Sequence, residues 1–129
     1  MTGMRLLKEC MRRREFTVSF MYEDIRNDPV KDSILPVQKM QASVLLFSGG
    51  MDSMWPAEES CEKIMKILEE TDYPYPHHHI HYAHGSHYLL PISLKTDPVF
   101  YAERKYKEEC RTIKADILEK TMQFLKEEW

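Results

Sequence analysis

Between Ser43 and Pro76 the chain permits few local architectures besides one. Ser43-Val44-Leu45-Leu46-Phe47-Ser48 is apolar without alternation, the pattern of a parallel strand covered on both faces. Gly49-Gly50 follows as a turn, and a helix then opens. Pro56 suits a first helical turn, and Glu58 and Glu59 favour the positive end of the helix dipole. Cys61, Ile64, Met65 and Leu68 share one face of that helix and make an apolar stripe. It must stop near Asp72, because Pro74 and Pro76 cannot continue it. A second strand is predicted over His78–Tyr82, a turn over Ala83–His87, and a loop bracketed by Pro91 and Pro98. A closing helix is predicted over residues 99–128, with Tyr106, Cys110, Ile113, Ile117 and Leu118 as its stripe and Phe124 and Leu125 extending it. Strand, helix, strand, helix is the order of a parallel βα unit, so the predicted class is α/β with a small parallel sheet flanked by helices.

The residues before this unit are less regular. Met4, Leu7 and Met11 fall near helical spacing, which predicts a helix over residues 4–15 with a basic outer face. Phe16–Tyr22 alternates well enough for a strand but also fits a continuation of the helix. Asn27–Pro36 reads as a connector, marked by Asp28-Pro29 and Leu35-Pro36. The expected organisation is an N-terminal helix and connector over 1–33 and the α/β unit over 34–129.

Composition narrows the function classes. With 43% hydrophobic and 30% charged residues the 129-residue chain suits one compact domain. Its net charge of −3 sets up no global field for nucleic acid or an anionic membrane, and neither partner is expected. No apolar run approaches the roughly 20 residues that span a bilayer. Three widely spaced cysteines, Cys10, Cys61 and Cys110, argue against a disulfide framework and for a reducing cytoplasm. Cys61 and Cys110 fall on apolar helix faces and read as core residues. The Arg12-Arg13-Arg14 run reads as a solvated helix end. His77, His78, His79, His81, His84 and His87 cluster, and His79 and His81 alternate onto one strand face. No carboxylate or cysteine stands near them at ligand spacing, so neither a metal nor a cofactor is expected.

Chemistry concentrates in LLFSGGMDSMWP, Leu45–Pro56, which parses in two ways. A glycine turn between a strand and a helix suits phosphate, because free backbone N–H groups point at the ligand. SGGMDS resembles the signature of the N-type ATP pyrophosphatase (PP-loop) family, which implies a grip on the pyrophosphate of ATP. That family carries the motif on its first strand and follows it with several βα units, whereas one further strand is legible here.

The second parsing takes in a longer succession. Ile34–Met40 leads into Val44–Gly49, then Asp52, Trp55-Pro56, the helix Glu62–Leu68 and Tyr73-Pro74-Tyr75-Pro76. Tyr82-Ala83-His84-Gly85-Ser86-His87-Tyr88 and Pro91 follow, and the chain closes on Phe124–Trp129. This succession resembles the C-terminal part of the acyl-CoA thioester hydrolase / bile acid-CoA:amino acid N-acyltransferase family, a branch of the α/β-hydrolases. The likeness runs from about residue 34, at its widest from 20, to the end. It implies a partial α/β-hydrolase fold built on the last two strands, with acyl-CoA or an ester as substrate. In such folds the acid follows one late strand and the histidine the next. The resemblance therefore implies that Asp52 accepts the imidazole N–H and that His87 is the general base. Taken alone, Asp52 also suits a helix cap or a brace for the Gly49-Gly50 turn. Two departures stand out: Ser86 intervenes between Gly85 and His87 where the family has glycine, and Leu90-Pro91-Ile92 replaces an acid-Pro-Pro sequence.

The nucleophile of this fold precedes the acid, on a G-x-[S/C]-x-G elbow. Gly3 is the only glycine before Gly49, and Cys10, Ser19, Ser33 and Ser43 lack a glycine turn. The expectation is a hydrolase C-terminal part that supplies acid and histidine and is inactive alone. A non-catalytic interaction module with the same fold is the second reading, and nucleotide binding at SGGMDS the third. A strand such as 44–48 would also leave an apolar unpaired edge. That edge predicts a homo-oligomer or a complementing chain, unless Phe16–Tyr22 covers it.

Overall fold

The computed structural model describes residues 2–26, 35–90, 92 and 94–128. The connector residues 27–34, the 33/34 boundary, Pro91 and Trp129 lie outside the described residues.

The predicted βα unit is present. Strand β1, Val44–Gly49, runs parallel to β2, His77–Tyr82, in a two-stranded sheet, with register from Val44↔His77 to Gly49↔Tyr82. The crossover is helix α3, Ala57–Glu70. Pro56 occupies the position just before its first turn rather than within it, and no side chain caps it. At the far end the Thr71 hydroxyl donates to the Ile67 carbonyl at 2.7 Å, and Asp72 turns the chain with φ 48°. Pro74 and Pro76 then prevent any return to helix.

Leu68 is fully buried from α3 and packs with Val44 and Tyr73, with Val37, Leu46 and Ile64 around them. The Tyr73 hydroxyl donates to the Ala42 carbonyl at 2.7 Å, so the buried ring brings a satisfied polar end. Phe100, Ala102, Cys110, Ile113, Ile117 and Phe124 are buried as well.

Several expectations need correction. Phe16–Tyr22 is not a strand: residues 16–18 are an extended link and helix α2 spans Ser19–Arg26. The Thr17 hydroxyl contacts the Ser19 hydroxyl at 3.1 Å and accepts the Ser19 N–H at 3.4 Å, a local turn just before the helix. The helix predicted over 4–15 is α1, Thr2–Arg13, which ends at Arg14 with φ 55°. Phe16–Tyr22 therefore adds no strand at the β1 edge, and among the described residues the sheet has no third strand.

The closing helix is likewise not continuous. A 3-10 turn at Asp97–Val99 leads to α4, Tyr101–Lys105, and then α5, Lys107–Glu127, with the break at Tyr106 (φ −117°, ψ 41°). The break lets α5 choose its own buried face, which is Cys110, Ile113, Lys114, Ile117 and Phe124. Leu118 and Leu125 are each 47% exposed, so they leave the predicted stripe and a lysine enters it. Tyr82 ties the sheet to α5 by donating to Asp116 Oδ2 at 2.6 Å.

Candidate active site

Because β1 and β2 are parallel and in register to their last residues, the two turns that follow them leave the sheet at one end. The Gly50 N–H donates to the Tyr82 carbonyl at 2.9 Å, and the Met51 N–H to the Gly85 carbonyl at 3.0 Å. Gly49 and Gly85 meet there backbone to backbone. A Cβ on Gly85 would stand 2.9 Å from the Gly49 Cα, and one on Gly49 would overlap the Gly85 carbonyl. Both glycines are needed for this approach.

The approach brings Asp52 and His87 together. His87 Nδ1 is 3.1 Å from Asp52 Oδ2, and the two side chains are 17% and 5% exposed. The other Asp52 oxygen, Oδ1, accepts the N–H of Met54 at 2.8 Å and that of Trp55 at 3.3 Å. Asp52 thus braces its turn with one oxygen and holds the imidazole with the other. With a carboxylate at Nδ1, the neutral ring carries its proton there and Nε2 is left as the basic nitrogen. Among the described residues no hydrogen bond engages Nε2. Trp55 holds the ring from the side, with centroids 4.3 Å apart at 86°, and the Phe100 ring lies at 5.6 Å.

His87 opens onto a cleft of about 470 Å³ whose apolar walls include Phe16, Met54, Tyr88, Val99 and Phe100, with Lys95 also lining it. The Phe16 wall is fastened to the acid turn. The Ser53 hydroxyl donates to the Phe16 carbonyl at 2.9 Å, and the fully buried Thr17 hydroxyl donates to the Ser53 carbonyl at 2.6 Å. The Phe16 N–H reaches the Val99 carbonyl at 3.4 Å.

Residues 7–101 match the family described as BAAT / Acyl-CoA thioester hydrolase C terminal. The chain belongs to that family. The match begins earlier than the succession of motifs alone suggests, and it ends before α5. No curated protein and no solved structure matches the chain. In this member of the BAAT / acyl-CoA thioester hydrolase C-terminal family, the acid and histidine turns both lie within the matched stretch.

The remaining candidates have other partners. The Ser48 hydroxyl, fully buried on β1, meets His79 Nε2 at 2.7 Å and His81 Nδ1 at 3.0 Å, and His81 Nε2 is 3.5 Å from Glu58. Burial and then the neighbouring His81 push the His79 pKa down. Among the described residues no three His, Cys, Asp or Glu side chains are grouped to hold a metal ion. Cys110 is buried, its thiol directed at the His84 carbonyl, and burial pushes its pKa up to about 11. Burial also raises Cys61.

Sequence reasoning noted Ser86 only as a departure and passed over Glu103 and Lys114. Ser86 Oγ donates to Glu103 Oε1 at 2.6 Å, and Lys114 Nζ lies 3.1 Å from the same oxygen and 2.7 Å from Asp97 Oδ2. All four residues are buried. The available signal was Lys114 itself, a charge at helical spacing among Cys110, Ile113 and Ile117.

Proposed function

We propose that this chain supplies the acid and the general base of an acyl-CoA thioesterase or acyltransferase-like hydrolase, in a partial α/β-hydrolase fold. The observation that carries the reading is the 3.1 Å pairing of His87 Nδ1 with Asp52 Oδ2, made between the turns that follow two adjacent parallel strands. His87 Nε2 takes the proton of a nucleophile, and Asp52 fixes the tautomer and stabilises the imidazolium that forms. The cleft lined by Phe16, Val99 and Phe100 receives apolar substrate beside it. The nearby hydroxyls of Ser53 and Ser86 already donate to the Phe16 carbonyl and to Glu103. Neither hydroxyl is offered to His87 Nε2, so this reading takes the nucleophile from outside these 129 residues, either from a preceding part of the same protein or from another polypeptide, and these residues alone are inactive.

The test supplies that nucleophile. A small thiol, mixed with an acyl-CoA and the purified chain, exchanges with the thioester: thiol proton to His87, acyl group to the new sulfur, CoA released as the free thiol. The expected result is acceleration over the buffer reaction by the parent protein and none by His87→Ala or Asp52→Ala. Equal rates for all three proteins overturn the base assignment. Steady acyl-CoA turnover without added thiol, lost in His87→Ala, overturns the inactivity.

The nucleotide reading has little support. The N–H groups of Gly50, Met51, Asp52, Met54 and Trp55 all donate within the protein, so these amides are not open to phosphate. A melting temperature unmoved by millimolar ATP with magnesium agrees with that.

The partner we infer is a second copy of the chain at the β1 edge. A groove of about 480 Å³ follows that strand and takes in consecutive residues Ala42–Phe47, as only an edge can present, together with Val37, Met40 and Leu125. A dimer by light scattering at tens of micromolar supports this, and a monomer counts against it.

A further inference from the structure

We propose that Glu103, held by Lys114, is a positioning residue that fixes the His87 backbone through Ser86. The inference rests on the Asp52–His87 pairing and concerns what holds the histidine turn in the orientation that pairing needs. Asp52, Trp55 and Phe100 restrain the imidazole ring. None of those three contacts restrains the backbone on either side of His87, and Ser86 does. Its hydroxyl proton goes to Glu103 Oε1 at 2.6 Å, while its oxygen accepts the Tyr88 N–H at 3.0 Å. One side chain, 1% exposed, thus straps the residues before and after the histidine.

The anchor of that strap is ionic. Lys114 Nζ bonds Glu103 Oε2 at 3.2 Å and Asp97 Oδ2 at 2.7 Å, and Asp97 Oδ2 also accepts the Leu94 N–H at 2.9 Å. The network therefore grips the loop after β2 near its start, at Ser86, and near its end, at Leu94. Burial alone would lower the Lys114 pKa, and the hydrogen bonds it donates to Asp97 and Glu103, with their charges, outweigh burial and raise it, so the ammonium persists.

Two carboxylates share one ammonium in the interior, and Asp97 Oδ1 has no partner among the described residues. Such a group is a poor source of stability, since a well-packed apolar trio often does as well or better. What a carboxylate provides and an apolar side chain cannot is a short, directed acceptor for the Ser86 hydroxyl. Ser86 thus has its own partner beside the glycine contact. Gly85 closes on Gly49, and the next residue reaches for Glu103.

The experiment is NMR of the full chain with 15N-labelled histidine, reading the His87 ring nitrogens and the exchange of its Nδ1 proton. In the parent, one tautomer with a protected Nδ1–H is expected. Ser86→Ala and Glu103→Leu, which removes the acceptor, should each speed exchange of that proton about fivefold, the ratio one hydrogen bond of ordinary net strength sets, and move the ring nitrogens toward tautomer averaging. Ser86→Thr, which keeps the hydroxyl, should restore the parent spectrum. Leu68→Ala, which loosens the remote core, should lower the melting temperature and leave the His87 signals in place. Parent-like His87 signals in either Ser86→Ala or Glu103→Leu overturn the proposal, whatever happens to stability. If one of the two does not fold, the other decides alone. An unprotected Nδ1 proton in the parent removes the Asp52–His87 reading and the proposal with it, whereas a protected proton indifferent to both variants removes the proposal only.

Discussion

Gly49 and Gly85 touch backbone to backbone, with no room for a side chain on either. The contact joins the ends of two parallel strands and sets the separation of the residues that follow them. A methyl group on Gly49 must push the histidine turn away, so Gly49→Ala is expected to cost about 1–3 kcal/mol, the range for overpacking a filled site. Urea unfolding measures the loss, and loss of the His87 Nδ1 proton signal in the same variant shows that the pairing opens.

Asp52 uses its two oxygens for separate purposes, and substitutions tell them apart. Asp52→Asn can keep an acceptor for the Met54 and Trp55 amides while presenting an NH2 group to His87 Nδ1. It is expected to retain most of the stability and to shift the ring to the other tautomer, seen in the 15N shifts. Asp52→Ala loses both sets of bonds and should cost a further increment of about 1–2 kcal/mol, as lost caps and turn bonds do.

The His79 pKa lies below its usual value because burial, and then a charged His81, oppose protonation, while Glu58 and Glu62 pull weakly the other way. The unfolded chain therefore binds a proton at His79 before the folded one does as pH falls. Stability from this site is complete above the ordinary histidine range, near pH 6.5, and declines as pH drops through that range toward the lowered folded value. His79→Gln should flatten the dependence of urea midpoint on pH between pH 7 and 5; an unchanged slope would assign the dependence elsewhere.

Cys110 has a thiol pKa of about 11, raised by burial. At pH 8 about one molecule in a thousand carries the thiolate there, by the ordinary relation of pKa to ionised fraction. A disulfide-exchange reagent at pH 8 should label Cys110 only as fast as the protein opens, and 4 M urea should speed the labelling steeply. Rapid labelling in the folded state would show that the thiol is open to solvent and not held by burial.

Leu68 is fully buried against Val44 and Tyr73 on the strand-helix interface. Leu68→Ala should destabilise the chain by about 2–5 kcal/mol, as deletion of buried leucine atoms does. Thermal unfolding reads this directly.

The βα unit was legible because its signals are local and agree with one another. Val44–Phe47 is too apolar for any place but a covered strand, and Pro74 and Pro76 end the helix whatever surrounds it. The order Asp52, one helix, one strand, His87 likewise carried the family assignment without any distance being known. Where neighbours far away in sequence decide, local pattern misled. Phe16–Tyr22 alternates like a strand, yet Thr17 and Ser53 lock its start against the acid turn and a helix follows. The closing helix read as continuous because propensity does not register a single non-helical residue at Tyr106. Leu118 and Lys114 exchanged places between core and surface because a buried ammonium is tolerable only where two carboxylates converge on it. Sequence alone determined the order of elements and which residues could be acid and base. Tertiary structure alone decided that Gly49 meets Gly85, that Asp52 Oδ2 reaches His87, and that Glu103 reaches Ser86. Each of these is a contact between residues 17 to 36 positions apart, and no local preference encodes such a meeting.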